Sequence, residues 1–173
     1  MAISLYDASV TSYLQILPAV SNFMDKALGY FREHGIDPQQ IVETRLYEDM
    51  HPFHFQIHSV VFHSVSALEG IRNGTFQAPG ERPQLDYAGL QALVVEARAS
   101  LAKLTREEID AREGTDLVFK GRDSARVFTA EGFLQSFALP NFYFHVTTAY
   151  NILRSKGVPV GKRDYIGALR QKT

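Results

Sequence analysis

The chain contains no cysteine. Disulfide frameworks, cysteine-ligated zinc, iron–sulfur clusters and thiol nucleophiles are therefore excluded together. It also lacks an excess of either charge: 18 Lys and Arg stand against 19 Asp and Glu, a formal net charge of −1. A nucleic-acid binder shows a basic excess on its binding face, and a polybasic membrane anchor needs clustered Lys or Arg. No apolar run approaches the roughly 20 residues that cross a bilayer. The opening segment, Met1 to Ser12, carries Asp7 and no basic cluster, unlike a secretory signal. The expectation is a cytoplasmic protein with no nucleic-acid and no membrane partner.

What is present suits one globular unit. The 173 residues are 45% hydrophobic and 12% aromatic, enough to bury a core in a single domain spanning 1–173. No internal repeat or low-complexity tract interrupts it.

Hydrophobic spacing predicts mostly helix. Ile16, Leu17, Val20, Phe23, Met24, Ala27 and Phe31 recur at helical intervals in a segment from Leu5 to His34, stopped by Gly35. Pro18 inside it predicts a kink or break. Asp37-Pro38 opens a short helix. His51-Pro52 marks the next start, with helix from Phe53 to Ile71 and a stop at Asn73-Gly74. Asp86 caps a third helix, Leu90 to Leu104. From Gly114 to Thr129 the period changes. Leu117-Val118-Phe119 and Arg126-Val127-Phe128 flank the turn Lys120-Gly121-Arg122-Asp123, which reads as a β-hairpin. The last long element runs from Ala130 to Ser155, with Pro140 marking a kink or a new start. The polar, basic tail from Val160 to Thr173 is ordered only if docked. The fold expected is all-α: an antiparallel four-helix bundle with a small β-hairpin before the last helix.

Six histidines carry the chemistry. His54 and His58 lie one turn apart on one helix face, the spacing that lets two imidazoles share a metal ion. Pro52 leaves His51 outside the helix, and His63 points to roughly the opposite side. His145 sits in the apolar run Asn141-Phe142-Tyr143-Phe144-His145, so it needs either a hydrogen-bond partner or a ligand role. Asn141 lies one turn before it, and Ala149, one turn after, is small enough to leave room for a pocket. Facing helices of a bundle supply inward ligands to one site, so His54 or His58 can converge with His145.

Other motifs are weak. Glu48-x-x-His51 is a single copy where a di-metal site needs two. Neither HExxH, a P-loop nor a G-x-S-x-G elbow occurs. Lys162-Arg163-Asp164 is an anion-binding cluster or a solvated tail. The aromatic crowd at Phe133, Phe137, Phe142, Tyr143, Phe144 and Tyr150 is core or dimer interface, and a helix-to-helix homodimer is expected.

The run from Leu139 through Asn141-Phe-Tyr-Phe-His145 to Gly157-Val-Pro159 and Gly167 resembles a bacterial family of unknown function. Tyr6-Asp-Ala-Ser-Val10 and Leu46-Tyr-Glu-Asp-Met-His-Pro52 resemble it too. That family is part of the DinB/YfiT-like superfamily of metal-dependent enzymes. The resemblance implies a four-helix bundle and one divalent ion, zinc, nickel or iron, held by three histidines. One comes from helix two and two from an H-x-x-x-H pair on the last helix. It also implies hydrolase or thiol-dependent transferase chemistry. His145 matches the second histidine of that pair, and Asn141 stands where the first belongs. For helix two the match gives His58 first and His54 second.

Two functions follow. One is a metal-dependent enzyme with a modified site of His58 or His54, His145 and Asn141. The other is a non-catalytic bundle that binds a small ligand or serves as a dimeric scaffold. They separate on whether His58 or His54 faces one cavity with His145.

Overall fold

The structure, a computed structural model, describes residues 3–121 and 124–172. It is mostly helical with a small three-stranded sheet. α1 (Leu5–Ala8) and α2 (Val10–Glu33) are separated by Ser9, whose hydroxyl bonds back to the Leu5 carbonyl. The break expected at Pro18 is absent: α2 runs through it, and the chain interrupts its helix at Ser9 instead. α3 (Gln39–Val42) opens where Asp37 accepts the Gln39 N–H.

The second long segment is composite. α4 (Phe53–Val61) starts after Pro52, which cannot donate an N–H, so His51 lies outside the helix as expected. It passes through a π-helical turn (Phe62–Ser66) into α5 (Ala67–Asn73), which Gly74 closes at φ +68°. β1 (Thr75–Gln77) follows, then an irregular loop with Pro79, Gly80 and Pro83. Asp86 caps α6 (Tyr87–Leu101) by accepting the Gly89 N–H at 2.7 Å. α7 (Arg106–Asp110) carries a capping box between Thr105 and Glu108.

β2 (Asp116–Lys120) and β3 (Ala125–Thr129) pair antiparallel, Val118 opposite Val127. The turn residues Arg122 and Asp123 lie outside the described residues, as does Thr173 of the tail. The expected lone hairpin is corrected to a mixed sheet of order β1-β2-β3, because β1 adds in parallel with Thr75 opposite Val118. An isolated hairpin is marginal in water, and the third strand ties this one to α5.

α8 (Ala130–Phe133), a second π-helical turn (Leu134–Ala138) and α9 (Leu139–Ser155) form the last long segment. Pro140 follows the π turn, which accommodates a residue with no N–H to give. Gly157 stops α9 at φ +88°. The tail is docked. α10 (Lys162–Ile166) receives a hydrogen bond from Gln15 on the Ile166 carbonyl, and Asp164 pairs with Lys26 at 3.2 Å.

α2 packs on α6, α4 on both α6 and α9, and α9 on α2. Their inward faces form one core. Phe23, Phe31, Phe53, Phe133 and Phe142 are fully buried there, and Tyr13 packs edge-on against Phe142 at 4.8 Å. Against this core the sheet and the loop after β1 cover one side of the α4–α9 contact, where the candidate site lies.

Candidate functional site

Two stripes at four-residue spacing face each other, one on α4 and the π turn that follows it, the other on the second π turn and α9. One is Phe55, Ser59 and His63. The other is Phe137, Asn141 and His145. Together with Phe62, Phe76, Phe119 and Arg82 they line a cavity of about 190 Å³. Each stripe ends on a histidine, and each helix carries a π-helical turn beside the cavity. Such turns recur at functional sites because the extra residue re-aims side chains.

The ring centroids of His63 and His145 are 5.6 Å apart, with planes within 10° of parallel. The orientation of His145 is fixed by a chain of hydrogen bonds. The Gln56 amide nitrogen donates to the His51 carbonyl at 2.8 Å. Its amide oxygen must then be the atom that meets His145 Nδ1, at 2.7 Å, and it accepts that proton. A neutral His145 therefore carries its hydrogen on Nδ1 and leaves Nε2 with a bare lone pair. Burial first, then the nearby Arg82, pushes the His145 pKa down to about 4, so the ring is neutral at pH 7. His63 is only 7% exposed, and its Nδ1 has no hydrogen-bond partner among the described residues. Burial, then His145 and Arg82, takes its pKa to about 3.

Asn141 donates its amide nitrogen to the Phe137 carbonyl at 2.8 Å, and its amide oxygen has no partner among the described residues. Arg82 reaches in from the loop after β1. Its Nη1 donates to Ser59 Oγ at 3.2 Å and to the Phe55 carbonyl at 3.4 Å. Its guanidinium carbon stands 4.0 Å from the Phe55 ring centroid, a cation–π contact. No Asp or Glu among the described residues pairs with it, and none lines the cavity.

The structure thus brings His145 and Asn141 together, and adds His63 and Arg82. It places His58 and His54 elsewhere. His58 donates Nε2–H to the Pro83 carbonyl at 3.1 Å, tying down the loop that carries Arg82. His54 stands 3.7 Å from Glu43 beside a separate surface pocket. His51 stacks on Phe55 at 3.7 Å, and His34 stacks on Tyr30 at 4.0 Å. No group of three or more His, Asp or Glu among the described residues is placed to share an ion. The sequence did carry a signal for His63: Phe55, Ser59 and His63 repeat every four residues, as do Phe137, Asn141 and His145. Arg82, in an aperiodic loop, carries none.

A helical domain with a small mixed sheet is a fold that solved structures share. The chain is similar to a DinB family member protein from Shewanella denitrificans: 26% identity, TM-score 0.84, covering 98% of this chain and 95% of that one. It shares its fold with a DinB-like protein from Bacillus subtilis: 15% identity, TM-score 0.61, covering 92% of this chain and 98% of that one. No curated protein matches. The chain itself belongs to the family described as a domain of unknown function, DUF1993, which matches residues 5–166.

Proposed function

We propose that the chain is a DinB-type antiparallel four-helix bundle whose cavity holds one divalent ion, zinc, nickel or iron, on His63 and His145. The Asn141 amide oxygen is the third donor. The observation that carries this reading is the Gln56–His145 bond. A partner that fixes the tautomer of an imidazole and leaves its other nitrogen bare is what metal-ligating histidines have around them. The Asn141 oxygen, without a partner among the described residues, agrees with it. His58 and His54 drop from the donor set, since their rings are engaged with Pro83 and Glu43.

An ion so held would polarise a bound oxygen or lower the pKa of a bound water or thiol. The residues around it position and shield. Phe62, Phe76, Phe119 and Phe137 make the wall apolar, and Arg82 offers donors to a substrate. On this reading the chain is a metal-dependent enzyme, of hydrolase or thiol-dependent transferase type by family resemblance. Elemental analysis of protein purified without a histidine tag tests it: about one equivalent of metal, lost in His63→Ala and His145→Ala, is the expected result. The exposed Phe144 and Tyr143 on α9 support a helix-to-helix homodimer, tested by light scattering.

A second reading has its own support. The cavity wall has no carboxylate to offset a dication, and a guanidinium already stands in it. That favours a small ligand bound without metal. Absence of metal, with no thermal shift on adding divalent ions, selects it.

A further inference from the structure

The two readings disagree about the ion but agree about the sign of the charge left in the cavity. Without metal, the wall carries Arg82 and no carboxylate, so its balance is one positive charge. With a dication on the neutral imidazoles the balance becomes more positive. A charge in an aromatic-walled cavity is costly unless it is paired. Every charged side chain that could pair with Arg82 internally is missing among the described residues, and Ser59 and the Phe55 carbonyl use only its Nη1. Among the described residues nothing accepts from Nη2 or Nε, the fork that meets two oxygens of one acid.

We propose that this cavity binds a small, flat organic monocarboxylate, with Arg82 gripping the carboxylate and the aromatic wall covering the body. The inference rests on the pocket, and holds under either view of the metal. Four features set the class. A single guanidinium matches one carboxylate rather than a multiply charged phosphate. The cavity volume, about 190 Å³, is the space of about six waters, which admits an acid of about ten non-hydrogen atoms. The rings of Phe62, Phe76, Phe119 and Phe137 offer faces and edges to a planar body rather than polar partners for a sugar. The bare His145 Nε2 is an acceptor, so it repels a carboxylate and directs it to Arg82. His58, through the Pro83 carbonyl, is the positioning residue that holds the Arg82 loop over the cavity.

The test uses 4-fluorobenzoate as the probe, followed by fluorine NMR on the full chain after chelator treatment and again with one equivalent of zinc. Its neutral isostere 4-fluorobenzamide needs no variant and controls for apolar binding. We expect saturable binding of the benzoate without metal, at least about tenfold weaker binding of the amide, and a similar loss in Arg82→Gln. Arg82→Lys, which keeps the charge but not the fork, should recover only part of the affinity. Equal binding of acid and amide overturns the inference, as does unchanged benzoate affinity in Arg82→Gln. Displacement of the benzoate by equimolar inorganic phosphate would move the ligand to another class and overturns the carboxylate assignment. Benzoate binding that appears only with zinc and ignores Arg82→Gln overturns it too, while supporting the metal reading. Binding that depends on Arg82 with no zinc uptake supports it while the metal reading fails.

Discussion

His63 and His145 come from helices that meet only through tertiary packing, yet their imidazoles lie 5.6 Å apart and nearly parallel beside one cavity. Both are neutral, and both face a guanidinium. Such an arrangement costs stability, because burial beside a cation keeps both rings from charging. From that relationship the following outcomes are expected.

Replacing His63 should separate stability from binding. His63→Leu removes a buried nitrogen that has no partner and keeps the volume close. The cost of leaving such a group unmade is about 1–3 kcal/mol, so the variant should be as stable as wild type or more so by about 1 kcal/mol. Urea unfolding measures this, and the same variant should lose metal.

Acid should weaken the chelator-treated protein earlier than its carboxylates demand. The folded pKa values of His63 and His145, about 3 and about 4, lie below the ordinary histidine value of 6.5. The unfolded chain therefore binds protons first as pH falls. Stability is full above about pH 6.5 and declines below it until the folded pKa values are reached. Burial first, then Arg82 beside both rings and His51 beside His145, keeps protonation unfavourable in the fold. Melting temperatures between pH 7 and 5 should fall in wild type and fall less in His63→Leu.

Gln56→Leu should damage the site without emptying it. The His145 tautomer is then no longer fixed, and the Nδ1 proton is left without its partner. Losing the partner that orients a ligating imidazole costs about 10–100-fold in metal affinity. The accompanying destabilisation should be about 1–3 kcal/mol. Calorimetry of zinc binding and a thermal melt read the two effects separately.

Gly157→Ala should destabilise the end of α9. Its φ is +88°, and an added Cβ would meet the Tyr30 hydroxyl at 2.7 Å. The left-handed conformation alone costs a non-glycine residue about 1–2 kcal/mol. A lower midpoint in urea, with metal content unchanged, is the expected result.

Much of the fold was legible because it is written locally. Pro52, Asp86 and Gly157 end or begin helices by their own covalent chemistry, and the 3.6-residue period of α2 needs no neighbour to be read. β1 was not legible: three residues have no period, and Thr75 finds its partner only at Val118. The π-helical turns were not either, since an inserted residue breaks the 100° geometry on which faces are assigned. The site shows the same division. His145 and Asn141 stood out by their apolar setting. The His54 and His58 pair drew attention by its spacing, but spacing says nothing of what each ring meets. That His58 holds the Pro83 carbonyl and His63 the cavity depends on how α4 rotates against α9 and on a loop with no pattern of its own.

The most direct measurement is zinc titration by calorimetry into chelator-treated wild type, His58→Ala, His63→Ala and His145→Ala. The account predicts about one site in wild type and in His58→Ala, and none in the other two. Binding that survives in His63→Ala but disappears in His58→Ala would contradict it.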